Sequence, residues 1–338
     1  MNLNVAHNTL ELVGNTPLLK ISSLSKFTGC DIFAKCEHLN PGGSIKDRAA
    51  KQMVLDAIDS GELKPGMSVI EGTAGNTGIG LSLICAALGY QMTIVMPKGQ
   101  SLEKERMAAV FGAKVLLVDP VPFKDENHFY HTARRMAEHE PTKYWWANQF
   151  ENLSNFKAHY TTTGPEIWEQ MNGQVDVLVS VAGSGGTIAG VSTYLKEKNK
   201  NTRVRLVDPE GSGLVSYFKT GEFKSAGSSI TEGIGIMRLV ANFEKAQVDD
   251  AFTLPDQNLV NLANHVRRQD GILLGSSAAL NMAGALKTAL EMGSGHRIVT
   301  FICDVGERSF SKLYNPAFLK EKGLDNSVRN LDDIAKDL

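Results

Sequence analysis

Residues 68–97 read SVIEGTAGNTGIGLSLICAALGYQMTIVMP, and this stretch decides the fold. Ser68-Val69-Ile70 is a short apolar strand that runs into the polar loop Thr73-Ala74-Gly75-Asn76-Thr77-Gly78. Gly78 to Leu88 then has the small, apolar composition of a buried helix. Met92-Thr93-Ile94-Val95-Met96 follows as a continuous apolar strand, stopped at Pro97. A strand, a loop, a helix and a second apolar strand in so short a space is the repeating unit of a parallel sheet covered by helices.

The rhythm continues on both sides. Leu102 to Phe111 is an amphipathic helix and Lys114-Val115-Leu116-Leu117-Val118 the next strand. A polar, irregular stretch follows, containing Trp145, Trp146 and Asn148-Gln149-Phe150. The pattern then resumes with a strand at Val175 to Val181, a helix from Ile188 to Lys196 and a strand at Arg203 to Val207. Helices over Asp256 to Gln269 and Ala278 to Met292 precede a final strand, Arg297 to Ile302. The predicted class is α/β: two doubly wound domains with mainly parallel sheets and a cleft between them. Residues 50–150 form the smaller, mobile domain carrying the Thr73 loop. Residues 1–49 and 151–320 form the larger domain, and 321–338, charged and aperiodic, a surface tail.

The bulk composition narrows the class. The chain has 338 residues, 42% hydrophobic and 21% charged, with a formal net charge of −2. That balance gives no steering towards nucleic acid or an anionic membrane. No apolar run reaches the length of a membrane span, and the first residues, Met1 to Asn8, carry neither a basic stretch nor an apolar one, so no signal peptide and a cytoplasmic location are expected. Cys30, Cys36, Cys85 and Cys303 show no C-x-x-C spacing, and are expected to be structural thiols in a reducing compartment. The eight histidines form no ligand set. His128 and His131 share helical spacing without a third ligand, so surface histidines and no metal are expected.

Ligands of such sheets bind at the carboxyl ends of the strands, where three loops carry suitable chemistry. Gly183-Ser184-Gly185-Gly186-Thr187 lies between a strand and a helix. It is either a tight turn or an anion cradle of backbone N–H groups at a helix N-terminus. No third glycine stands at Ile188 for a dinucleotide fingerprint, and no P-loop lysine follows, so a lone phosphate fits better. Pro41-Gly42-Gly43-Ser44-Ile45-Lys46-Asp47-Arg48 delivers Lys46 at the mouth of a helix. It is either an ordinary first-turn lysine or, since positive charge is unfavourable there, a buried and partly neutral amine. The Thr73 loop caps the Gly78 helix and offers spare hydroxyl, amide and N–H donors for a carboxylate. Ser276, in Gly275-Ser276-Ser277, is either an N-cap or a hydroxyl for a pyridine nitrogen. An amine, a carboxylate loop and a phosphate cradle together are the parts of a pyridoxal-phosphate (PLP) site. A pyridine ring paired with a hydroxyl rather than an acid withdraws electrons weakly, which favours elimination and replacement at the β-carbon.

These motifs resemble the cysteine synthase and cystathionine β-synthase family, the fold-type-II, tryptophan-synthase-β-like PLP enzymes. The likeness extends from Asn8-Thr9-Leu10-Glu11-Leu12-Val13-Gly14-Asn15-Thr16-Pro17-Leu18 to Pro316. The resemblance implies that Lys46 bonds the cofactor and acts in catalysis, and that Asn76 contacts its phenolic oxygen. It further implies that Gly183, Ser184, Gly185, Gly186 and Thr187 hold its phosphate and that Ser276 faces its ring nitrogen. Substrate contacts are implied for Thr73, Ala74, Gly75, Asn76, Thr77, Gln149 and Gly233, the last in the pocket-lining Gly233-Ile234-Gly235. Two departures stand out: the loop serine of the family is Ala74 here, and the usual Ser-Ser-Gly is Ser276-Ser277-Ala278. The form of the loop, with Ser229-Ile230-Thr231-Glu232-Gly233-Ile234-Gly235, is also similar to the cysteine desulfhydrase branch. The expected activity is therefore cysteine synthase, making cysteine from O-acetylserine and sulfide, with cysteine desulfhydrase as the alternative. A non-catalytic member that binds PLP or a partner is the reading from another class. The resemblance also implies a homodimer and an active site able to bind the C-terminal tail of serine acetyltransferase.

Overall fold

The computed structural model describes residues 5–73, 75–100 and 102–338. Ten strands run through the described residues: β1 (Leu18–Lys20), β2 (Asp31–Cys36), β3 (Ser68–Gly72), β4 (Gln91–Pro97), β5 (Lys114–Val118), β6 (Tyr144–Trp146), β7 (Val177–Ser180), β8 (Arg203–Pro209), β9 (Asp250–Leu254) and β10 (Arg297–Ile302). They form two sheets. One has the order β5-β4-β3-β6 and is parallel throughout. The other has the order β1-β2-β10-β7-β8-β9 and is parallel except for β1, which pairs antiparallel with β2.

Both sheets are covered on their faces, and their strands are accordingly apolar along their length rather than alternating. All five residues of β3 and all four of β7 are buried. The Asn76–Leu88 helix is buried from Thr77 to Cys85, and ends at Gly89 in the left-handed conformation that a helix stop requires.

Strand order places the ligand crevices. In the smaller sheet the chain winds outward from β3 to β4 and β5, whereas β6 lies on the other side of β3. In the larger sheet β8 and β9 lie on one side of β7, and β10 and β2 on the other. The loops leaving β3 and β6, and those leaving β7 and β10, therefore flank the two points where winding reverses. These loops carry Thr73 to Thr77, Gln149, Gly183 to Thr187, and Cys303 with Asp304.

The last eighteen residues differ from the expected surface tail. A helix at Leu331–Lys336 buries Leu331 and Ile334 against the core of the larger sheet, and Asn258 Nδ2 donates to the Asp337 carbonyl at 3.3 Å. Two apolar residues three apart suffice to dock one helical turn, a pattern too short to stand out among charges.

Candidate active site

Lys46 is the first residue of the Lys46–Asp59 helix, and its position is fixed from both sides. Upstream, Gly43 turns the chain at φ +75°, and the Gly42 N–H donates to Asp47 Oδ2 at 2.6 Å. The Ile45 N–H donates to the Cys303 carbonyl at 2.8 Å, which ties the turn to the end of β10. Downstream, Arg48 is buried and bidentate on Glu37, with Nε to Oε2 at 2.7 Å and Nη2 to Oε1 at 2.9 Å, and it also reaches Glu166. A buried arginine held by two carboxylates is rigid, since losing either partner leaves a charge without compensation. The helix start cannot drift.

The Lys46 amine lines a cavity of about 370 Å³ between the two sheets. Burial there pushes its pKa below the usual lysine value, against the upward pull of Asp304. Cys303 is itself driven up to about 12 by burial and so stays a neutral thiol. All four cysteines are free and buried.

The cavity gathers most of the residues singled out in the sequence. Thr73, Gly75, Asn76, Thr77, Gln149, Gly183, Ser184, Gly185, Thr187 and Gly233 all line it with Lys46. Ala74 lies outside the described residues. Gly186 sits behind the wall, where any side chain would run into the Asn155 amide. The glycine loop is pressed from behind as well. A Cβ at Gly183 would meet the Gly233 carbonyl, and Gly185 has φ +87° with Phe243 Cα only 2.6 Å from where a Cβ would lie. Only glycine allows this approach, and it leaves the loop and the N-terminus of the Gly186–Lys198 helix facing the cavity.

At the other wall the side chains are already interlinked. The Thr77 hydroxyl donates to Gln149 Oε1 at 2.6 Å, and Gln149 Nε2 donates to Glu71 Oε1 at 3.2 Å. Glu71 is fully buried, and desolvation lifts its pKa to about 8. Asn76 Nδ2 donates to Asp304 Oδ2 at 2.7 Å, while Arg308 Nη1 donates to Asn76 Oδ1 at 2.7 Å.

One expectation is corrected. Ser276 does not line this cavity: its Oγ accepts from the Glu232 N–H at 3.5 Å and borders a small adjoining hollow with Arg308. The next residue, Ser277, lines the cavity. Successive residues of a helix point about 100° apart, so a shift of one position moves the hydroxyl from one space to the other.

Asp304, Arg308, Glu71 and Ser277 escaped the sequence reading, as did the bridge from Glu232 to Lys104 and Lys312 at the cavity. Asp304 and Arg308 lie in no motif, while Glu71, Ser277 and Glu232 lie within the stretches quoted above without a role of their own. His159, expected at the surface, is fully buried beside Thr187.

The donor set fits a pyridoxal phosphate. A desolvated amine suits the cofactor's aldehyde, and a glycine loop with the Thr187 hydroxyl at a helix N-terminus suits its phosphate dianion. Among the described residues lining the cavity, the one carboxylate is Glu232, and it is engaged by Lys104 and Lys312. Ser277 offers this cavity a hydroxyl that would suit a ring nitrogen.

Comparison with known proteins gives the same cofactor. Residues 9–304 match the family model "Pyridoxal-phosphate dependent enzyme". The chain is 45% identical to "Cysteine synthase 2" of Schizosaccharomyces pombe, over 96% of this chain and 88% of that one. It superposes on the crystal structure of a cysteine synthase from Entamoeba histolytica with a TM-score of 0.88 at 33% identity, covering 100% of this chain and 98% of that one. A hydrogen sulfide-producing enzyme from Fusobacterium nucleatum superposes with a TM-score of 0.81 at 34% identity, covering 90% of this chain and 99% of that one. The chain belongs to the pyridoxal-phosphate-dependent enzymes, in the family of the cysteine synthases and cystathionine β-synthases.

Proposed function

We propose that the protein is a cysteine synthase, replacing the β-substituent of a serine-derived amino acid. O-Acetylserine and sulfide become L-cysteine and acetate: the Cβ–O bond breaks and a Cβ–S bond forms. The observation that carries this reading is the convergence on one cavity of the Lys46 amine, the Thr73–Thr77 loop and the glycine loop at Gly183–Thr187.

Bound pyridoxal phosphate supplies the electron sink that makes the substrate's α-proton acidic. Lys46 Nζ, whose charged form is disfavoured by desolvation, accepts the proton from Cα. The backbone N–H groups and hydroxyls of Thr73 to Thr77 hold the substrate carboxylate, with Gln149 beside them, and so orient the Cα–H bond towards the lysine. Gly183, Ser184, Gly185, Gly186 and Thr187 hold the phosphate. Asn76 faces the phenolic oxygen, Ser277 rather than Ser276 the ring nitrogen, and Gly233 the substrate side of the pocket. The smaller sheet and its loops (residues 50–150) close on the larger unit (1–49 and 151–320) and shield the reaction from water.

Desulfhydrase activity on cysteine is the second reading, favoured by Ala74 and by the 34% identity to a hydrogen sulfide-producing enzyme. Homodimerisation, docking of a serine acetyltransferase tail and a cytoplasmic location are extensions of the family resemblance. No helix among the described residues is long and apolar enough to cross a membrane. The assignment of Lys46 is tested by borohydride reduction of the PLP-loaded protein followed by peptide mapping. The pyridoxyl mass should sit on the peptide containing Lys46; finding it on another lysine would overturn the assignment.

A further inference from the structure

Three cations stand among the described residues lining the active-site cavity: Lys46, Lys104 and Lys312. In the proposed reaction Lys46 takes the α-proton, and the other two are unused. They come from opposite sides of the cleft. Lys104 lies in the Leu102–Val110 helix beside the smaller sheet, and Lys312 in the turn that follows Gly306–Ser309 in the larger unit. Both meet at Glu232, which takes Lys104 on Oε2 and Lys312 on Oε1, the latter at 2.5 Å. The Ser311 hydroxyl donates to Glu103 Oε2 at 3.1 Å and ties the same two elements together. Lys104 is buried and Lys312 part-exposed, so the pair runs from the solvent edge inward. One carboxylate between two ammonium groups leaves one positive charge over at this wall.

We propose that Lys104 and Lys312 form a subsite for the small anions of the reaction, hydrosulfide entering and acetate leaving. This rests on the reading of the protein as a cysteine synthase. Each turnover of that reaction brings three kinds of negative group into the cavity. The cofactor's phosphate is assigned to the glycine loop and the amino acid's carboxylate to the Thr73 loop. Acetate departs with the electron pair of the Cβ–O bond, and hydrosulfide supplies the pair that forms Cβ–S. Both cross a space that already holds a phosphate dianion and a carboxylate, whose field repels them. Low-dielectric walls strengthen that repulsion. A surplus positive charge on the path offsets it and raises the rate of encounter. Glu232 has a definite part here: it holds two long side chains, one from each unit, at a single point while cancelling one of their charges. The site therefore favours anionic nucleophiles over neutral ones of similar size.

The test measures kcat/KM of the PLP-loaded protein, at saturating O-acetylserine, for hydrosulfide and for 1,2,4-triazole, a nucleophile that is neutral at neutral pH. Lys312→Gln should lower the hydrosulfide value about tenfold, the low end of steering by a charged cleft, and leave the triazole value within about twofold. Raising salt from about 0.02 to about 0.5 M should slow the hydrosulfide reaction of the wild type and hardly touch that of the variant. Glu232→Gln separates a subsite from a mere clasp between the two units. It frees both ammonium groups, so the hydrosulfide reaction should hold or quicken, whereas loss of a clasp would slow both nucleophiles together. Parallel loss for triazole, a slower hydrosulfide reaction in Glu232→Gln, or no effect of Lys312→Gln would each overturn the proposal. Should triazole not react or Glu232→Gln not fold, Lys312→Arg and the salt dependence decide. The arginine keeps the charge and should keep the hydrosulfide rate that glutamine loses; equal losses would contradict the subsite. A wild type that makes no cysteine from O-acetylserine and sulfide would sink the cysteine synthase reading itself, an outcome distinct from all of these.

Discussion

Asn76, at the start of a helix beside the smaller sheet, donates through Nδ2 to Asp304 Oδ2 at 2.7 Å, at the end of the larger sheet's β10. Arg308 completes the link by donating to Asn76 Oδ1, and it also reaches the Gly42 carbonyl just before Lys46. One amide thus couples the two halves of the site and the lysine turn. Asp304→Ala removes the carboxylate that acts most strongly on the buried Arg308 and leaves Asn76 Nδ2 without its acceptor. The expected cost is about 2–4 kcal/mol of stability, measured by urea unfolding. Asn76→Ala removes two hydrogen bonds but no charge, from a part-buried residue, and should lower activity far more than stability. A loss of stability as large as that of Asp304→Ala would contradict this division.

Glu71 sets a pH dependence of stability. Its pKa is about 8 in the folded chain, raised by desolvation, and ordinary in the unfolded one. Between those values the folded state binds the extra proton. Stability should therefore fall as pH rises from about 4.5 to 8. Glu71→Gln keeps the hydrogen bond to Gln149 and removes the titration, so its melting temperature should vary less over that range than the wild type's. An identical profile would mean that Glu71 is ionised in the fold.

Lys46→Ala separates chemistry from stability. Desolvation disfavours the charged amine in the fold, so the folded chain gains nothing from that charge near neutral pH. The variant should melt at the wild-type temperature or above it while turnover falls by about a thousandfold or more, as for removal of an essential base. Activity within tenfold of wild type would exclude Lys46 as the base.

Ala74→Ser adds one hydroxyl to the carboxylate loop. A single new hydrogen bond is worth about 1 kcal/mol, so the KM for the amino-acid substrate should fall about fivefold with cofactor affinity unchanged. Unchanged kinetics would show that the alanine is neutral.

Much of this was legible in the sequence. The inner strands announce themselves as continuous apolar runs because both faces are covered, as at Val177–Ser180 and Gln91–Pro97. The three loops were legible because glycine and proline punctuation carries local backbone information. β1 and β2 were not: one has three residues, and the other buries Lys35, whose amine is met by Glu166 at 2.7 Å. Asp304, Arg308 and His159 depend on contacts across 228, 232 and 28 residues of chain, which no local pattern encodes. Ser276 and Ser277 show the finest limit. Two identical residues side by side differ only in the direction their helix turns them.

The most direct measurement compares kcat/KM for cysteine formation from O-acetylserine and sulfide with kcat/KM for sulfide release from L-cysteine. The account predicts that synthesis dominates by about tenfold or more, the Thr73 loop holding the bound intermediate until sulfide arrives. Faster sulfide release would contradict it and make the protein a desulfhydrase.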